Sequence, residues 1–99
     1  MPRAKADSAK RYYQMAHFAQ RLRERAGNVD AEALHKLWVQ EIQDHNRKGE
    51  LSLVRFYDRQ SYRVTRWTVI LDGKTYLIVY DSHRKTLATI MFYKERKRR

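Results

Sequence analysis

The chain has 99 residues, with 22 Lys or Arg against 11 Asp or Glu, so its formal net charge is +11. This length fits one domain, and a hydrophobic content of 42% suffices for a core, which argues against intrinsic disorder. The sequence has no apolar run of ~18 residues, no apolar segment near its start and no cysteine, which argues against a spanning helix, a signal peptide, disulfides and thiolate metal sites. We therefore expect a cytoplasmic protein without cofactor or metal, whose partner is a polyanion.

A first amphipathic helix is predicted near the start of the chain. Asp7 or Ser8 can cap it, and Gly27 followed by Asn28 can end it, since both residues tolerate the left-handed backbone of a helix C-terminus. Phe18 widens its apolar stripe, which follows steps of three and four residues: Tyr12, Met15, Ala19, Leu22 and Ala26. Residues 1–6 before it are expected to form a flexible basic lead.

A second helix is predicted from Asn28 or Asp30 to about Arg47, before Gly49. Its apolar stripe consists of Leu34, Leu37, Trp38 and Ile42, and His45 could continue it as a partly buried residue. After these two helices, from Gly49 onward, the apolar residues no longer follow the three- and four-residue spacing of a helix.

Four strands are predicted after Gly49, at 51–57, 62–71, 75–80 and 86–92, because these segments are rich in β-branched and aromatic residues. The links are short, and Asp72-Gly73 is a strong hairpin signal. Consecutive strands with short links favour an antiparallel meander. The predicted fold is α+β, with two N-terminal helices on one face of a four-stranded antiparallel sheet, a single domain over 7–93 and a basic tail over 94–99.

Familiar catalytic motifs are absent: there is no phosphate-binding glycine loop, no H-E-x-x-H and no nucleophile elbow. The remaining candidates are basic, hydroxyl and imidazole groups. Metal-independent RNA cleavage uses such groups, because it needs a base for the 2′-OH, an acid for the leaving oxygen and donors around the phosphate.

The helical segment His17-Phe-Ala-Gln-Arg21-Leu-Arg-Glu-Arg25 resembles the H-x-x-x-R-x-x-x-R helix of small proteins in the barnase/EndoU/colicin/RelE-like fold group. Ser61-Tyr-Arg63, Val79-Tyr80-Asp81 and Lys85-Thr-Leu-Ala-Thr89-Ile-Met are similar to the sheet of that group, including its short phage and toxin proteins. The similarity covers about residues 15–91 as a pattern.

This resemblance implies an RNase-like fold in which catalytic groups come from a helical His, a sheet Arg and a Thr or Tyr near the last strands. The implied catalytic residues are His17, Arg63, Thr89 and Tyr80. We expect nucleic-acid contacts from Arg21, Arg25, Arg59, Arg66 and Tyr76.

Each of these residues also has a simpler interpretation. His17 lies more than a third of a turn from the predicted apolar stripe, so it could be a solvated residue on a polar face. Arg21 and Arg25 could bracket an anion or only line a solvated surface. The charge of Arg63 could prevent an edge strand from pairing with another chain. Thr89 could occur in its strand only because threonine favours β-structure.

The aromatic residues of the strands also leave two alternatives. Exposed rings would stack on unpaired bases or form a dimer interface, whereas buried rings would be core. The alternation of strand 3 places Tyr76, Ile78 and Tyr80 on one face, and the side that carries Trp67 is expected to be core.

The resulting functional hypothesis is an RNA-directed protein: a metal-independent endoribonuclease or an inactive RNA-binding relative of RelE-like toxins. The alternative is a non-catalytic regulator from a phage or mobile element that binds DNA or a host nucleic-acid enzyme. RNA is favoured over DNA as partner, an acidic protein or antitoxin is a further candidate, no membrane association is expected, and the chain could be a monomer or a homodimer.

Overall fold

The computed structural model describes residues 2–94, with side chains from residue 9 onward. Its helical elements are α1 (Pro2–Ala26), α2 (Ala31–Gln43), the single turn α3 (His45–Lys48) and a 3-10 turn at Gly49–Leu51. The strands are β1 (Val54–Arg59), β2 (Val64–Leu71), β3 (Lys74–Asp81) and β4 (Thr86–Phe92). They form one antiparallel sheet in the order β1-β2-β3-β4, so the predicted α+β class with a four-stranded meander is confirmed.

Helix α1 starts earlier than predicted. It begins at Pro2, so Asp7 and Ser8 lie inside the helix and do not cap it. Proline suits the first helical position because its missing N–H would have no partner there. The end is as expected, since Gly27 follows the helix with φ +82°. The flexibility expected of residues 1–6 stays a prediction, and residues 95–99 of the predicted tail lie outside the described part of the chain.

The buried face of α1 is rotated from the predicted stripe. Phe18 and Leu22 are completely buried, whereas Tyr12 is 70% exposed and Met15 is 37% exposed. The ring of Phe18 meets Trp38 of α2 edge-on, at 6.3 Å between centroids. The stripe prediction was wrong about Tyr12 and Met15 because apolar character alone does not show which side of a helix meets the sheet.

Helix α2 begins where one of the two predicted caps stands. The carboxylate of Asp30 accepts a hydrogen bond from the N–H of Ala33 at 3.1 Å. The helix ends at Gln43, four residues before the predicted end, and α3 follows as a separate turn. Leu37 of the predicted stripe is 42% exposed, while Glu41 is buried because the ammonium of Lys48 and the N–H of Leu53 bind its carboxylate.

The sheet has one face against the helices and one face that no helix in the described part of the chain covers. Ile78 is paired with Trp67 on one side and with Ile90 on the other, and all three are buried in the core. Tyr76 and Tyr80 lie on this same face and are 2% and 6% exposed. The alternative of an exposed Tyr76/Ile78/Tyr80 platform is therefore wrong.

We call the uncovered side the open face; side-chain alternation and register assign to it Arg55, Arg66, Thr68, Ile70, Thr75, Leu77, Val79, Thr89 and Met91. Strand β4 forms one edge of the sheet, and α1 packs along it. None of the helices within residues 2–94 has the length and apolar composition that crossing a membrane requires.

Candidate nucleic-acid interface

The turn between β1 and β2 and the turn between β3 and β4 meet at one end of the sheet. The backbone N–H and the hydroxyl of Ser82 both donate to the carbonyl oxygen of Arg63, at 2.8 and 3.0 Å. These two bonds join turns that are 19 residues apart in sequence. The side chains of Arg63 and Arg84 are thereby held at the same end of the molecule.

Asp81 organises this end of the sheet. Its carboxylate is 2% exposed and accepts hydrogen bonds from the guanidinium groups of Arg63 (3.2 Å) and Arg84 (3.0 Å). It also accepts from the side chain of Gln14 at 3.2 Å and from the backbone N–H groups of His83 and Arg84 at 3.0 and 3.2 Å. One buried carboxylate thus positions two cationic side chains.

The pKa of Asp81 reflects these contacts. Burial by itself would raise the pKa of this carboxyl, but the hydrogen bonds from Gln14, from the backbone of Arg84 and from Arg63 outweigh it. The pKa therefore lies below its ordinary value, and the charged form is favoured. The same pairing raises the pKa of Arg63.

Helix α1 is tied into this cluster by Gln14. The side-chain amide of Gln14 donates to Asp81, and its carbonyl oxygen accepts from the hydroxyl of Thr86 at the start of β4. Thr86 is completely buried. The position of α1 relative to the β3–β4 turn is therefore set by a polar chain rather than by apolar packing alone.

A groove of about 330 Å³ runs between α1 and β4 beside this cluster. We call it the basic groove; it is lined by Lys10, Tyr13, Gln14, His17, Arg84 and Ala88. Ala88 stands at a β-bulge, where the register skips from Val79 paired with Thr89 to Tyr80 paired with Leu87. Among the side chains that the structure describes, the lining includes Lys, His and Arg and no carboxylate, so this part of the groove suits an anion.

The structure does not bring the four expected catalytic residues together. His17 is exposed and lines the basic groove, and Arg63 is joined to that groove through Asp81. Tyr80 lies in the core, where its hydroxyl accepts from the amide of Gln43 at 3.4 Å. Thr89 is paired with Val79 on the open face. Neither hydroxyl therefore reaches the groove that holds His17, which corrects the expected site.

The expected nucleic-acid contacts are also dispersed. Arg21 forms an exposed ion pair with Glu24 at 3.0 Å, and Arg25 lies over the ring of Phe92 at 5.9 Å. Arg59 donates to the carbonyl oxygens of Ser61 and Tyr62 within its own turn.

The remaining two expected contacts lie on opposite faces of the sheet. Arg66 is on the open face, ion-paired with Asp58. Tyr76 is buried, and its hydroxyl donates to the carbonyl oxygen of Arg25 at 3.4 Å. The ring of Tyr76 is therefore not accessible to a base, so the expected contact of this residue with nucleic acid is wrong.

Four residues of the basic groove and of the cluster around Asp81 were not predicted from the sequence as site residues: Lys10, Tyr13, Asp81 and Arg84. Asp81 carried a usable signal, because an Asp at the end of a strand commonly accepts from the N–H groups two and three residues on. Lys10 and Tyr13 had none for the far side of the groove, since Arg84 and Ala88 lie more than 70 residues away in sequence.

A scan against models of protein families, a search of curated proteins and a search of solved structures gave no significant match to this chain. The similarity to the barnase/EndoU/colicin/RelE-like group therefore stays a prediction from the sequence pattern.

Proposed function

We propose that this chain is a cytoplasmic RNA-binding protein that holds RNA phosphates in the basic groove. The observation that carries the proposal is the lining of that groove, where Lys10, His17 and Arg84 surround one space and no carboxylate stands among the lining side chains from residue 9 onward. Arg63 stands next to it, held on the same buried Asp81 as Arg84. Prepositioned guanidinium groups bind phosphate well because their paired N–H donors match its oxygens.

Exposed aromatic rings favour RNA with unpaired bases over a duplex. Tyr13 lines the groove and is 70% exposed, and Tyr62, next to Arg63, is 86% exposed. Protein side chains recognise single-stranded RNA largely by stacking such rings on splayed bases. A duplex hides its base faces, so it would gain nothing from these two rings.

The binding form of the hypothesis fits the geometry better than the endoribonuclease form. Cleavage needs an acid and a base on opposite sides of the reacting phosphate. Among the side chains that the structure describes, His17 is the only imidazole that lines the groove, and none of the lining groups is a carboxylate. Tyr80 and Thr89, the hydroxyl groups expected to assist it, lie elsewhere.

The test measures affinity for a fluorescently labelled single-stranded RNA by anisotropy. Lys10→Gln is expected to weaken binding about tenfold, because a charge-assisted contact to phosphate contributes about 1.5 kcal/mol. Lys36→Gln is the matched control, since it removes the same charge from an exposed position of α2 outside the groove. Equal losses for the two variants would reduce the proposal to non-specific attraction by net charge.

The same preparation separates the remaining alternatives. Incubation of wild type with mixed RNA and EDTA is expected to leave the RNA intact. Fragments made by wild type and not by His17→Ala would instead establish metal-independent cleavage. Tighter binding to duplex DNA than to RNA would favour the regulator hypothesis.

A further inference from the structure

The open face of the sheet carries two tyrosine rings in contact. Tyr57 stands at the bulge of β1, and Tyr93 follows the last residue of β4. Their ring centroids are 5.9 Å apart with an interplanar angle of 85°. Because β2 and β3 lie between these two strands, the rings reach towards each other across the middle of the open face. Leu77 of β3 lies on this same face and is 7% exposed, although no helix of the described chain covers it.

Arginine side chains accompany these rings. The guanidinium carbon of Arg66 lies 5.1 Å from the ring centroid of Tyr57, within the range of a cation–π contact. Its Nε donates to Asp58 at 2.7 Å, and this pairing raises the pKa of Arg66. Arg55 is exposed on the same face. The carboxylate of Asp58, the residue after Tyr57, is thus paired with a cation, so it does not oppose an anion on this face.

We propose that the open face is a stacking surface for the unpaired bases of single-stranded RNA, with Tyr57 and Tyr93 as the stacking rings. This inference rests on the proposed function and specifies its ligand class. Aromatic rings interleaved with basic side chains bind single strands with little sequence preference, since every base has a π-face. Thr68 and Thr89 are half-buried on the same face, and their hydroxyl groups are of the kind that hydrogen-bonds a ribose.

The basic groove and the open face both involve β4, the strand at the edge of the sheet. Ala88 lines the groove, and the next residue, Thr89, lies on the open face. Since successive side chains of a strand point to opposite faces, the two surfaces lie on either side of this edge strand. A single RNA strand whose phosphates lie in the groove would therefore pass around β4 to place its bases on the open face.

Charge favours RNA over an apolar protein partner as the occupant of this face. Arg55, Arg66 and the exposed Lys94 border it, and the residues that follow in sequence are Glu95, Arg96, Lys97, Arg98 and Arg99. A strongly basic stretch of sequence thus begins at the residue after Tyr93. A polyanion is attracted to such a border, whereas an apolar surface would have to desolvate it.

The experiment compares single-stranded RNA of about 12 nucleotides with the matching duplex, a length typical of small single-strand sites. Tyr57→Leu and Tyr93→Leu remove the rings but keep apolar bulk. Each is expected to weaken single-strand binding at least about fivefold, the lower limit for the loss of one base–ring stack. Binding of the duplex is expected to stay within about twofold, since its bases are not available to the rings.

Two matched variants support the comparison. Tyr57→Phe and Tyr93→Phe keep the rings and are expected to bind like wild type. Circular dichroism melts show whether each variant is folded at the temperature of the binding assay.

A measurement on the wild-type protein avoids the risk that a variant misfolds. Single-stranded RNA that contains 4-thiouridine is cross-linked to the protein and the modified peptides are identified. Cross-links at Tyr57 or Tyr93 support the inference. Cross-links confined to the groove, or equal losses of duplex and single strand in the Leu variants, overturn it.

The outcomes also separate this inference from the proposed function. If Lys10→Gln weakens binding and the Leu variants do not, the open face is not a stacking surface but the groove proposal stands. If wild-type protein binds no RNA, both proposals are wrong.

Discussion

Asp81 shows how a single acidic residue can support the binding of an anion. Its carboxylate carries the charge sign of the ligand, yet it receives five hydrogen bonds and fixes the guanidinium groups of Arg63 and Arg84. Flexible arginines lose side-chain entropy when they bind a phosphate, and prior fixation reduces that loss. We therefore expect the fixed positions of Arg63 and Arg84 to affect the affinity for RNA more than the negative charge of Asp81 does.

Asp81→Asn is predicted to weaken RNA binding about fivefold although it raises the net charge of the protein. The loss of charge-assisted bonds should also lower the free energy of unfolding by about 2 kcal/mol. Affinity by anisotropy and stability by urea denaturation test both effects. Asp72→Asn, in the exposed β2–β3 turn, removes the same charge without these contacts and should bind RNA as wild type or slightly more tightly. Tighter binding by Asp81→Asn would show that charge outweighs positioning.

At the scale of elements, α2 is joined to β4 by a buried histidine. The Nε2 of His35 accepts a hydrogen bond from the N–H of Leu87 at 3.1 Å, beside the bulge at Ala88. His35 is 7% exposed, and its ring lies 5.4 Å from that of Phe18. An acceptor nitrogen has no proton, so this contact requires the neutral ring.

The environment of His35 makes the contact sensitive to acid. Burial, and secondarily the charge of Arg11, hold the pKa of His35 below its ordinary value of 6.5. Arg23 and Glu32 line the hollow beside it. Because the folded state then binds fewer protons than the unfolded state, the stabilisation is complete above about pH 6.5 and is lost as the pH falls towards the lower folded pKa.

We predict that the free energy of unfolding decreases between about pH 7.5 and pH 5, as measured by urea denaturation. His35→Gln keeps an acceptor that does not titrate and should flatten this dependence. His83→Gln, in an exposed turn, should leave it unchanged. Three carboxyl groups with lowered pKa values do not titrate in this pH range: Glu41, with an ordinary value of 4.5, and Asp44 and Asp81, each with an ordinary value of 3.8. Their contributions to the free energy of unfolding are lost only in stronger acid. A flat wild-type profile would contradict the assignment.

At the scale of the whole molecule, the net charge of +11 includes both positioned cations and a basic stretch of sequence. Arg63 and Arg84 are fixed by contacts, whereas residues 94–99 supply five basic side chains and one acidic side chain. A run of basic residues attracts any polyanion, and salt screens that attraction. The terminal segment should therefore contribute to affinity but not to the choice of ligand.

Deletion of residues 94–99 is predicted to weaken the binding of single-stranded and duplex RNA by the same factor. The slope of log affinity against log salt should become shallower, because fewer counterions are released. Titrations at several salt concentrations measure both. A loss restricted to single strands would show that the segment contacts the bases or works with Tyr93.

The fold could be predicted to a useful extent from the sequence, and the site only in part. Short links and the Asp72-Gly73 turn were sufficient to predict the meander. His17 and Arg63 were identified as candidates, and the structure joins them to one cluster through Asp81 and Arg84. Tyr80 was misplaced because a tyrosine in an alternating strand is equally compatible with either face of a sheet.

The sequence by itself determined the strong positive charge, the α+β class, a start of the second helix at Asn28 or Asp30 and the left-handed stop at Gly27, because each depends on composition or on neighbours within a few residues. Only the tertiary structure decided which strand face is covered, how α1 is rotated and which cations share the basic groove. Those features depend on pairs far apart in sequence, such as Gln14 with Asp81, and on bulges that shift the register by one residue. Local periodicity contains no information about such pairs.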